Sequence, residues 1–296
     1  MTTASTVLTL NDGHTMPQVG FGVYRADPGQ ECYQSVRWGL EVGYRLIDTA
    51  AMYNNEVDVG RAVADSGVPR EDIFITTKLN TNSHGYHRAM EATQVSLNKL
   101  QTSYIDLLLM HSPFGERIVE TWDAMIQLQK QGKVKSIGVS NFGIKHLEAL
   151  RQHGRPMPAV NQIELHPLNY RERKPLVDYC KEHKIAITAY GSLFSGSTER
   201  YQDPLLQSLK QKYDKTVPQI LLRWALDLDI AVIPKSSSSK QRLEENLAIL
   251  NFSLTPEEVQ SVAATEGPPL GQYWDPVNNA DVDVGDLSFG EVKQEL

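Results

Sequence analysis

The stretch DIFITTKLNTNSHGYHRAMEATQVSLNKLQTSYIDLLLMH, residues 72–111, carries the pattern on which the fold turns. Two short apolar runs, DIFITTK (72–78) and YIDLLLMH (104–111), flank an amphipathic segment from Tyr86 to Leu100. That segment sets Met90, Val95, Leu97 and Leu100 near one helical face. A parallel strand pair needs such a crossover, because a tight turn cannot join strands that run the same way. The unit repeats in both directions. VGFGVY (19–24) and RLID (45–48) come before it; SIGVSN (136–141), AVNQIEL (159–165), IAITAYG (185–191) and IAVIPKS (230–236) come after, eight runs in all. Strand ends at 48, 78, 111, 140, 162 and 190 are spaced by 30, 33, 29, 22 and 28 residues, about one strand and helix each.

Eight regular units predict an α/β fold closed into a (β/α)8 TIM barrel. Gln30 to Val42 reads as a crossover helix ended by Gly43, and Glu116 to Gln131 as another, with Ile118, Trp122, Met125 and Leu128 inward and Gly132 after it. Asn11, Asp12 and Gly13 predict a β-hairpin ahead of the barrel. An open doubly wound sheet would carry a three-glycine phosphate loop after its first strand, whereas VGFGVYRA has only Gly20 and Gly22. The expected organisation is one domain over 1–296, with 267–296, rich in Gly, Pro, Asn and Asp, as an irregular C-terminal tail or lid.

Composition narrows the partners. The 296 residues are 41% hydrophobic and 22% charged, as in globular chains, and 29 Lys and Arg against 36 Asp and Glu leave a net charge of −7. No overall positive field attracts nucleic acid or anionic lipid. The apolar run Tyr104 to Met110 is far too short to span a bilayer, and Cys32 and Cys180 stand apart in no metal-like spacing. A cytoplasmic protein, monomeric or weakly associated, without nucleic-acid or membrane partners, is the expectation.

In a barrel of this kind reactive groups gather where strands end. Asp48 closes RLID, Tyr53 follows in TAAMYNNE, Lys78 closes IFITTK and His111 closes LLLMH. Alone, each reads as a cap, a rim aromatic, a surface charge or a satisfied polar group. Together, on successive strands, they converge. Asp48 then answers the charge of Lys78, the ammonium lowers the pKa of the Tyr53 phenol, and His111 donates a hydrogen bond to a carbonyl oxygen. Such a site reduces a carbonyl, and since it offers no nucleophile, the electrons come from a bound hydride carrier.

These residues lie in motifs that resemble the aldo-keto reductases over the chain up to about Pro268. They are MPQVGFGVY (16–24), GYRLIDTAAMYNNE (43–56), ITTKL (75–79), DLLLMHSP (106–113), GKVKSIGVSNF (132–142), NQIELHP (161–167), AYGSL (189–193), LLRWAL (221–226) and IPKS (233–236). The resemblance implies NADPH-dependent reduction of aldehydes or ketones, with Tyr53 as proton donor, Lys78 and Asp48 as its tuning pair and His111 orienting the carbonyl. It also implies Ser140, Asn141 and Gln162 at the nicotinamide carboxamide, Tyr190 stacked on the ring, and Gly191 and Leu193 beside the cofactor. Lys235, Ser236 and Arg242, with Lys240 nearby, are implied at the adenosine 2′-phosphate, and Glu245 and Asn246 at adenine. The stretch KSSSSKQR is one residue longer than the family pattern between Lys235 and Arg242.

Tyr24 replaces a frequent tryptophan, and Asn80 and Ser112 replace aromatics of the substrate pocket, so a more open and polar pocket is expected, walled by Tyr24, His111, Phe114 and Trp274. Three other readings compete. A Schiff-base lysine requires a neutral amine, which a carboxylate next to Lys78 opposes. Metal hydrolysis lacks its ligands: no HxH pair opens the barrel, and His84 and His87 read as surface residues. A catalytically weak NADPH-binding sensor or auxiliary subunit on the same barrel is the alternative outside catalysis.

Overall fold

A computed structural model of the chain describes residues 6–235, 239–267 and 275–287. The hairpin forms as expected: β1 (Val7–Thr9) pairs antiparallel with β2 (Thr15–Pro17). Its turn is closed by the Leu10 N–H on the His14 carbonyl at 2.8 Å, and Gly13 takes a φ of +88° that suits a residue without Cβ.

Eight parallel strands follow in chain order: β3 (Phe21–Gly22), β4 (Leu46–Asp48), β5 (Phe74–Leu79), β6 (Ile105–Met110), β7 (Val134–Ser140), β8 (Val160–Glu164), β9 (Ala186–Tyr190) and β10 (Ala231–Val232). The circle is completed by parallel bridges Val19 to Val232 and Gly22 to Lys235. The Gly20 N–H donates to Val232 O, and the Val232 N–H donates to Gln18 O, both at 2.9 Å. The first and last strands are shorter than their sequence runs because the seam is glycine-rich on one side and carries Pro234, which has no N–H to give, on the other. At Gly20 a Cβ would lie 2.2 Å from the Leu46 side chain, so close strand approach depends on the glycine.

The crossovers are α1 (Gln30–Val42), α2 (Glu56–Ala64), α3 (Tyr86–Lys99), α4 (Ile118–Lys130), α5 (Ile144–Gln152) and α6 (Pro167–Glu182). Between β9 and β10 run α7 (Pro204–Tyr213) and α8 (Val217–Asp227); α9 (Lys240–Leu247), α10 (Pro256–Ala263) and α11 (Pro276–Asn279) complete the chain. Gly43 caps α1 at φ +116°, as the sequence implies. In α3, Met90, Leu97 and Leu100 pack inward, but Val95 is 50% exposed. Five steps of about 100° turn it roughly 140° away from Met90, onto the solvent side. Helix α4 begins two residues later than expected because Glu116 and Arg117 both hold positive φ.

Two apolar layers result. One lies between strands and helices; the other fills the barrel floor, where Leu10 and Met16 of the hairpin meet Leu46, Phe74, Leu107, Leu109, Val160 and Ala231. The C-terminal segment runs across the mouth side of α4 to α6. Ile118 and Glu120, at the start of α4, donate their N–H groups to Asp283 and Val284 carbonyls at 2.7 and 3.1 Å, His146 bonds the Ala280 carbonyl at 2.9 Å, and buried Arg173 pairs with Asp275 at 2.6 Å. Among the described residues no helix is long and apolar enough to cross a membrane, and no cluster of metal-ligating side chains occurs.

The contact between α2 and the end of α3 gives a direct test of this packing. A Cβ on Gly60 would fall 2.6 Å from the Leu100 backbone. Gly60→Ala should therefore destabilise the protein by about 1–3 kcal/mol, against the gain of about 1 kcal/mol that alanine brings to an open helix site; a urea midpoint that does not fall would refute the close approach.

Candidate active site

The strand register brings the expected groups together. Asp48 lies opposite Thr76 on β5, and Lys78 is two residues further along the same face, one rung nearer the mouth. Lys78 is 1% exposed, and its Nζ donates to Asp48 Oδ1 at 2.6 Å, to the Thr49 carbonyl at 2.9 Å and to the Tyr53 hydroxyl at 3.3 Å. An ammonium has three N–H bonds, and all three are taken. Burial pulls the lysine below its ordinary value and Asp48 draws it back up. The three acceptors define the ammonium, not the neutral amine a Schiff base needs, as the form the site is built to hold.

Tyr53 reaches this cluster from a short 3-10 turn, Ala51–Tyr53, that leaves β4. Asn55 pins the turn: its Oδ1 accepts from the Thr49 hydroxyl at 2.8 Å and its amide donates to the Val23 and Ala26 carbonyls at 3.0 and 3.3 Å. Sequence reasoning passed over Asn55, whose type suggests only a helix start. Because the Tyr53 oxygen accepts from Lys78, its own proton is left for another acceptor. The phenol is not more acidic than usual, contrary to the sequence expectation. Burial and the Asp48 charge hold it well above the ordinary tyrosine value. Burial leads because a phenolate there would give up its hydration, and the Asp48 carboxylate adds repulsion.

His111 follows β6, and its ring stands edge-on to Tyr53 with centroids 5.7 Å apart. Burial, with Lys78 and His84 nearby, pushes its pKa down to about 3, so the imidazole is neutral. Gln162 Nε2 reaches across the barrel to Asp48 Oδ2 at 2.7 Å. The Ser140 hydroxyl donates to the Gln162 carbonyl at 2.9 Å, and Asn141, at φ +63°, donates to the Ser140 hydroxyl and to the His111 carbonyl, each at 3.0 Å. Tyr190 closes the set by donating to Asn141 Oδ1 at 2.7 Å, which fixes its half-buried ring at the mouth; Gly191 beside it takes φ +68°.

This polar rim, with one fixed aromatic face, has the chemistry to hold a flat amide-bearing ring. Leu193 is half-buried and its carbonyl accepts from Tyr201 at 3.3 Å. Further out, exposed Lys235 donates to the Arg25 carbonyl at 3.0 Å, and exposed Arg242 lies in the first turn of α9, whose N-cap is Ser239. Lys240 spends its charge on Glu41 at 2.6 Å, while Lys235 and Arg242 have no carboxylate partner among the described residues. Two open cations beside a helix start suit a phosphate. Glu245 is half-buried with its carboxylate bonded to Gln241, and Asn246 is buried behind it.

Of the expected pocket walls, the Tyr24 ring lies tilted against Tyr53 with centroids 5.0 Å apart and is 51% exposed, and Phe114 stands exposed in the loop after β6. Ser236 and Trp274 lie outside the described residues. His87 is exposed as expected, but His84 is buried at 1% exposure, a correction to its reading as a surface residue. Its Nδ1 bonds the Glu116 carbonyl at 2.9 Å, a loop-to-loop contact that no local sequence pattern announces. The thiols of Cys32 and Cys180 are buried and pushed up to about 12, which makes them inert.

Comparison with known proteins gives the family. The profile of the aldo/keto reductase family matches residues 19–266. The chain is 44% identical over 269 residues to the methylglyoxal reductase DkgA of Escherichia coli (strain K12), covering 90% of this chain and 96% of that one. It is 41% identical over 256 residues to the 9,11-endoperoxide prostaglandin H2 reductase of Trypanosoma cruzi, covering 86% and 89%. A crystal structure of a Bombyx mori aldo-keto reductase in complex with NADP superposes with a TM-score of 0.82 at 38% identity, covering 88% and 92%. The chain belongs to the aldo/keto reductase family. It is an NADP-linked oxidoreductase on a (β/α)8 barrel.

Removing the carboxylate would leave a buried ammonium without its counter-charge. Asp48→Asn should cost about 3–5 kcal/mol near neutral pH. The loss should shrink as pH rises, because a lysine held below its unfolded value of about 10.4 gains folded stability until that value is reached. Urea unfolding at about pH 7 and about pH 10 checks both points; a penalty independent of pH would contradict the assignment.

Proposed function

We propose that this protein reduces aldehydes and ketones to alcohols, with hydride from NADPH and the proton from Tyr53. The observation that carries this reading is the single ammonium, Lys78, bonded at once to Asp48 and to the Tyr53 hydroxyl, with the neutral His111 ring alongside. NADPH supplies the hydride when bound. Ser140, Asn141 and Gln162 would hold its carboxamide, Tyr190 with Gly191 and Leu193 the ring and its surroundings, and Lys235, Ser236, Arg242, Glu245 and Asn246 the adenosine end.

The chain's own work is positional. His111 donates to the carbonyl oxygen and sets its direction; Tyr53 delivers a proton to that oxygen as charge builds there; Lys78 stays bonded to the phenol oxygen and stabilises the phenolate left behind. Tyr24, with Phe114 and Trp274, would border the substrate. Asn80 and Ser112, where relatives of the aldose-reductase type carry aromatics, favour small polar carbonyls, in keeping with a relative named for methylglyoxal.

A sensor or auxiliary subunit would not need a buried lysine, a phenol and an imidazole assembled around one point. The remaining assignments are ours as well: one barrel over 1–296 with 267–296 as a lid, a monomer or weak oligomer in the cytoplasm, and no nucleic-acid or membrane partner. The net charge of −7 supports the absence of nucleic-acid and anionic-membrane partners, and the two free, buried thiols support a reducing compartment.

An NADPH-oxidation screen over aldehydes, ketones, ketoesters and sugars, with NADH in parallel, tests activity and coenzyme choice together. Tyr53→Phe should bind NADPH as the parent does and lose about 10²- to 10⁴-fold in kcat; unchanged turnover would reject Tyr53 as the acid. Lys235→Met and Arg242→Ala should each weaken NADPH by about tenfold or more while leaving NADH nearly unaffected. Equal losses for the two coenzymes would remove the phosphate role.

A further inference from the structure

Helix α3 starts without a cap of its own. Its N-cap is Gly85, which has no side chain to offer the unpaired N–H groups of a first turn. The acceptors come from α4 instead: the Gly85 N–H donates to the Thr121 hydroxyl at 2.8 Å, and the Tyr86 N–H to Glu120 Oε1 at 3.0 Å. Helix α4 lacks a side-chain cap as well, with Arg117 at its N-cap in the left-handed region. Its Ile118 and Glu120 amides donate to the Asp283 and Val284 carbonyls of the C-terminal segment. Each helix thus borrows its cap from chain that comes later in the sequence.

One carboxylate lies where these borrowings meet. Glu120 is buried, and its oxygens accept from three segments: Oε1 from Tyr86 at the head of α3, Oε2 from Arg117 Nε at 2.7 Å and from the Asp286 N–H at 3.0 Å. The approach is close, since a Cβ on Gly285 would lie 2.6 Å from Oε2 and 2.8 Å from the Arg117 Cβ. Hydrogen bonds to an ionised acceptor are short and strong, so they fix their donors within a narrow range. The segments so fixed frame the mouth. Tyr86 follows the loop that leaves β5 at Asn80; Arg117 ends the loop that begins at His111 and carries exposed Phe114. The two loops meet at His84, whose Nδ1 bonds the Glu116 carbonyl. The strands that hold Lys78 and His111 set where each loop starts, and Glu120 sets where each one ends.

We propose that Glu120 is a positioning residue for substrate recognition: it locks the loops after β5 and β6 and the C-terminal segment into one unit, and that unit forms the wall against which the part of a substrate beyond its carbonyl group packs. Glu120 touches no reacting atom and acts through the loops it holds. The effect on substrates rests on the reading of the site as a carbonyl reductase with Phe114 at its wall; the linkage of the three segments does not.

Two aldehydes test the wall. Propanal and hydrocinnamaldehyde present the same carbonyl and differ by a phenyl group. Glu120→Gln keeps the volume, but its NH₂ must face an N–H donor whichever way the amide is turned. It should raise the KM for hydrocinnamaldehyde by about tenfold, with the KM for propanal, both kcat values and the affinity for NADPH nearly unchanged. Gly285→Ala leaves Glu120 intact, pushes the C-terminal segment off it and should give the same split. A rise shared equally by the two aldehydes, or none, would overturn the positioning role.

Hydrogen exchange read by NMR tests the linkage without turnover. In Glu120→Gln the Gly85 and Ile118 amides, which Glu120 does not itself bond, should exchange faster together with those of Tyr86 and Asp286. Acceleration confined to Tyr86 and Asp286 would show three separate contacts and no unit. Should neither variant fold, the parent decides: amides that open as one unit share one protection, so scattered values over these four end the proposal. If the protein reduces neither aldehyde, the functional reading falls while the exchange result still settles the linkage.

Discussion

A single buried ammonium organises this molecule. Taking a charge from water into a protein interior costs several kcal/mol even after relaxation, and a partner returns that only when the geometry is good. Lys78 meets the demand with three acceptors drawn from three places: the end of β4, the backbone just beyond it and the turn that carries Tyr53. Its counter-ion is in turn held by Gln162 from β8, on another part of the barrel wall. One charge thus ties two adjacent strands, a loop and a distant strand to fixed positions. Stability alone would be served as well by hydrocarbon of the same volume. What the ion pair adds is direction, because each hydrogen bond admits a narrow range of positions for the group at its other end.

That arrangement bears on how an acid can remain idle until it is needed. A phenol beside a bare cation would be partly ionised at rest, and the ionised fraction would have no proton to give. Here Asp48 neutralises the cation at short range and burial disfavours the phenolate, so Tyr53 rests fully protonated. In the proposed reaction its proton would become transferable only when an acceptor becomes more basic, as a carbonyl oxygen does while hydride adds to its carbon. His111, also neutral at rest, would bring a second hydrogen bond to the same oxygen without bringing a competing charge. On the proposed roles the groups would respond to charge that develops in the transition state, not to the bound ketone or aldehyde, which is the condition for lowering a barrier.

Much of this was legible in the sequence, for identifiable reasons. Strand and crossover periodicities act over short distances, so RLID, IFITTK and LLLMH announce both the barrel and the reactive residues at its rim. The hairpin and the glycine stop after α1 are equally local. What escaped depends on contacts between loops far apart in the chain. His84 sits in a segment whose pattern suggests a helix start, and only packing against Gly115 makes it a buried group. Asn55 and the Gln162 to Asp48 bond escaped for the same cause, and Val95 was misplaced because an aliphatic side chain carries no obligation to be buried. The acidity of Tyr53 was misjudged because how deeply the phenol is buried cannot be read from the sequence.

The inner face of the barrel shows why fold and site cannot vary independently. Alternate residues of a strand share a face, and along that face the sequence climbs from hydrocarbon to ionisable group in two or three rungs: Leu46 to Asp48; Phe74, Thr76, Lys78; Leu107, Leu109, His111; Val160, Gln162, Glu164. Each rung is about 6.6 Å. The floor, plugged by Leu10 and Met16, is apolar, and the mouth, roughly two rungs above, is polar. A slip of one residue in any of these strands would turn its floor residues outward and its reactive group into the helix layer in the same movement. The hydrophobic selection that sets the register is therefore also what points Lys78, Asp48 and His111 toward the mouth.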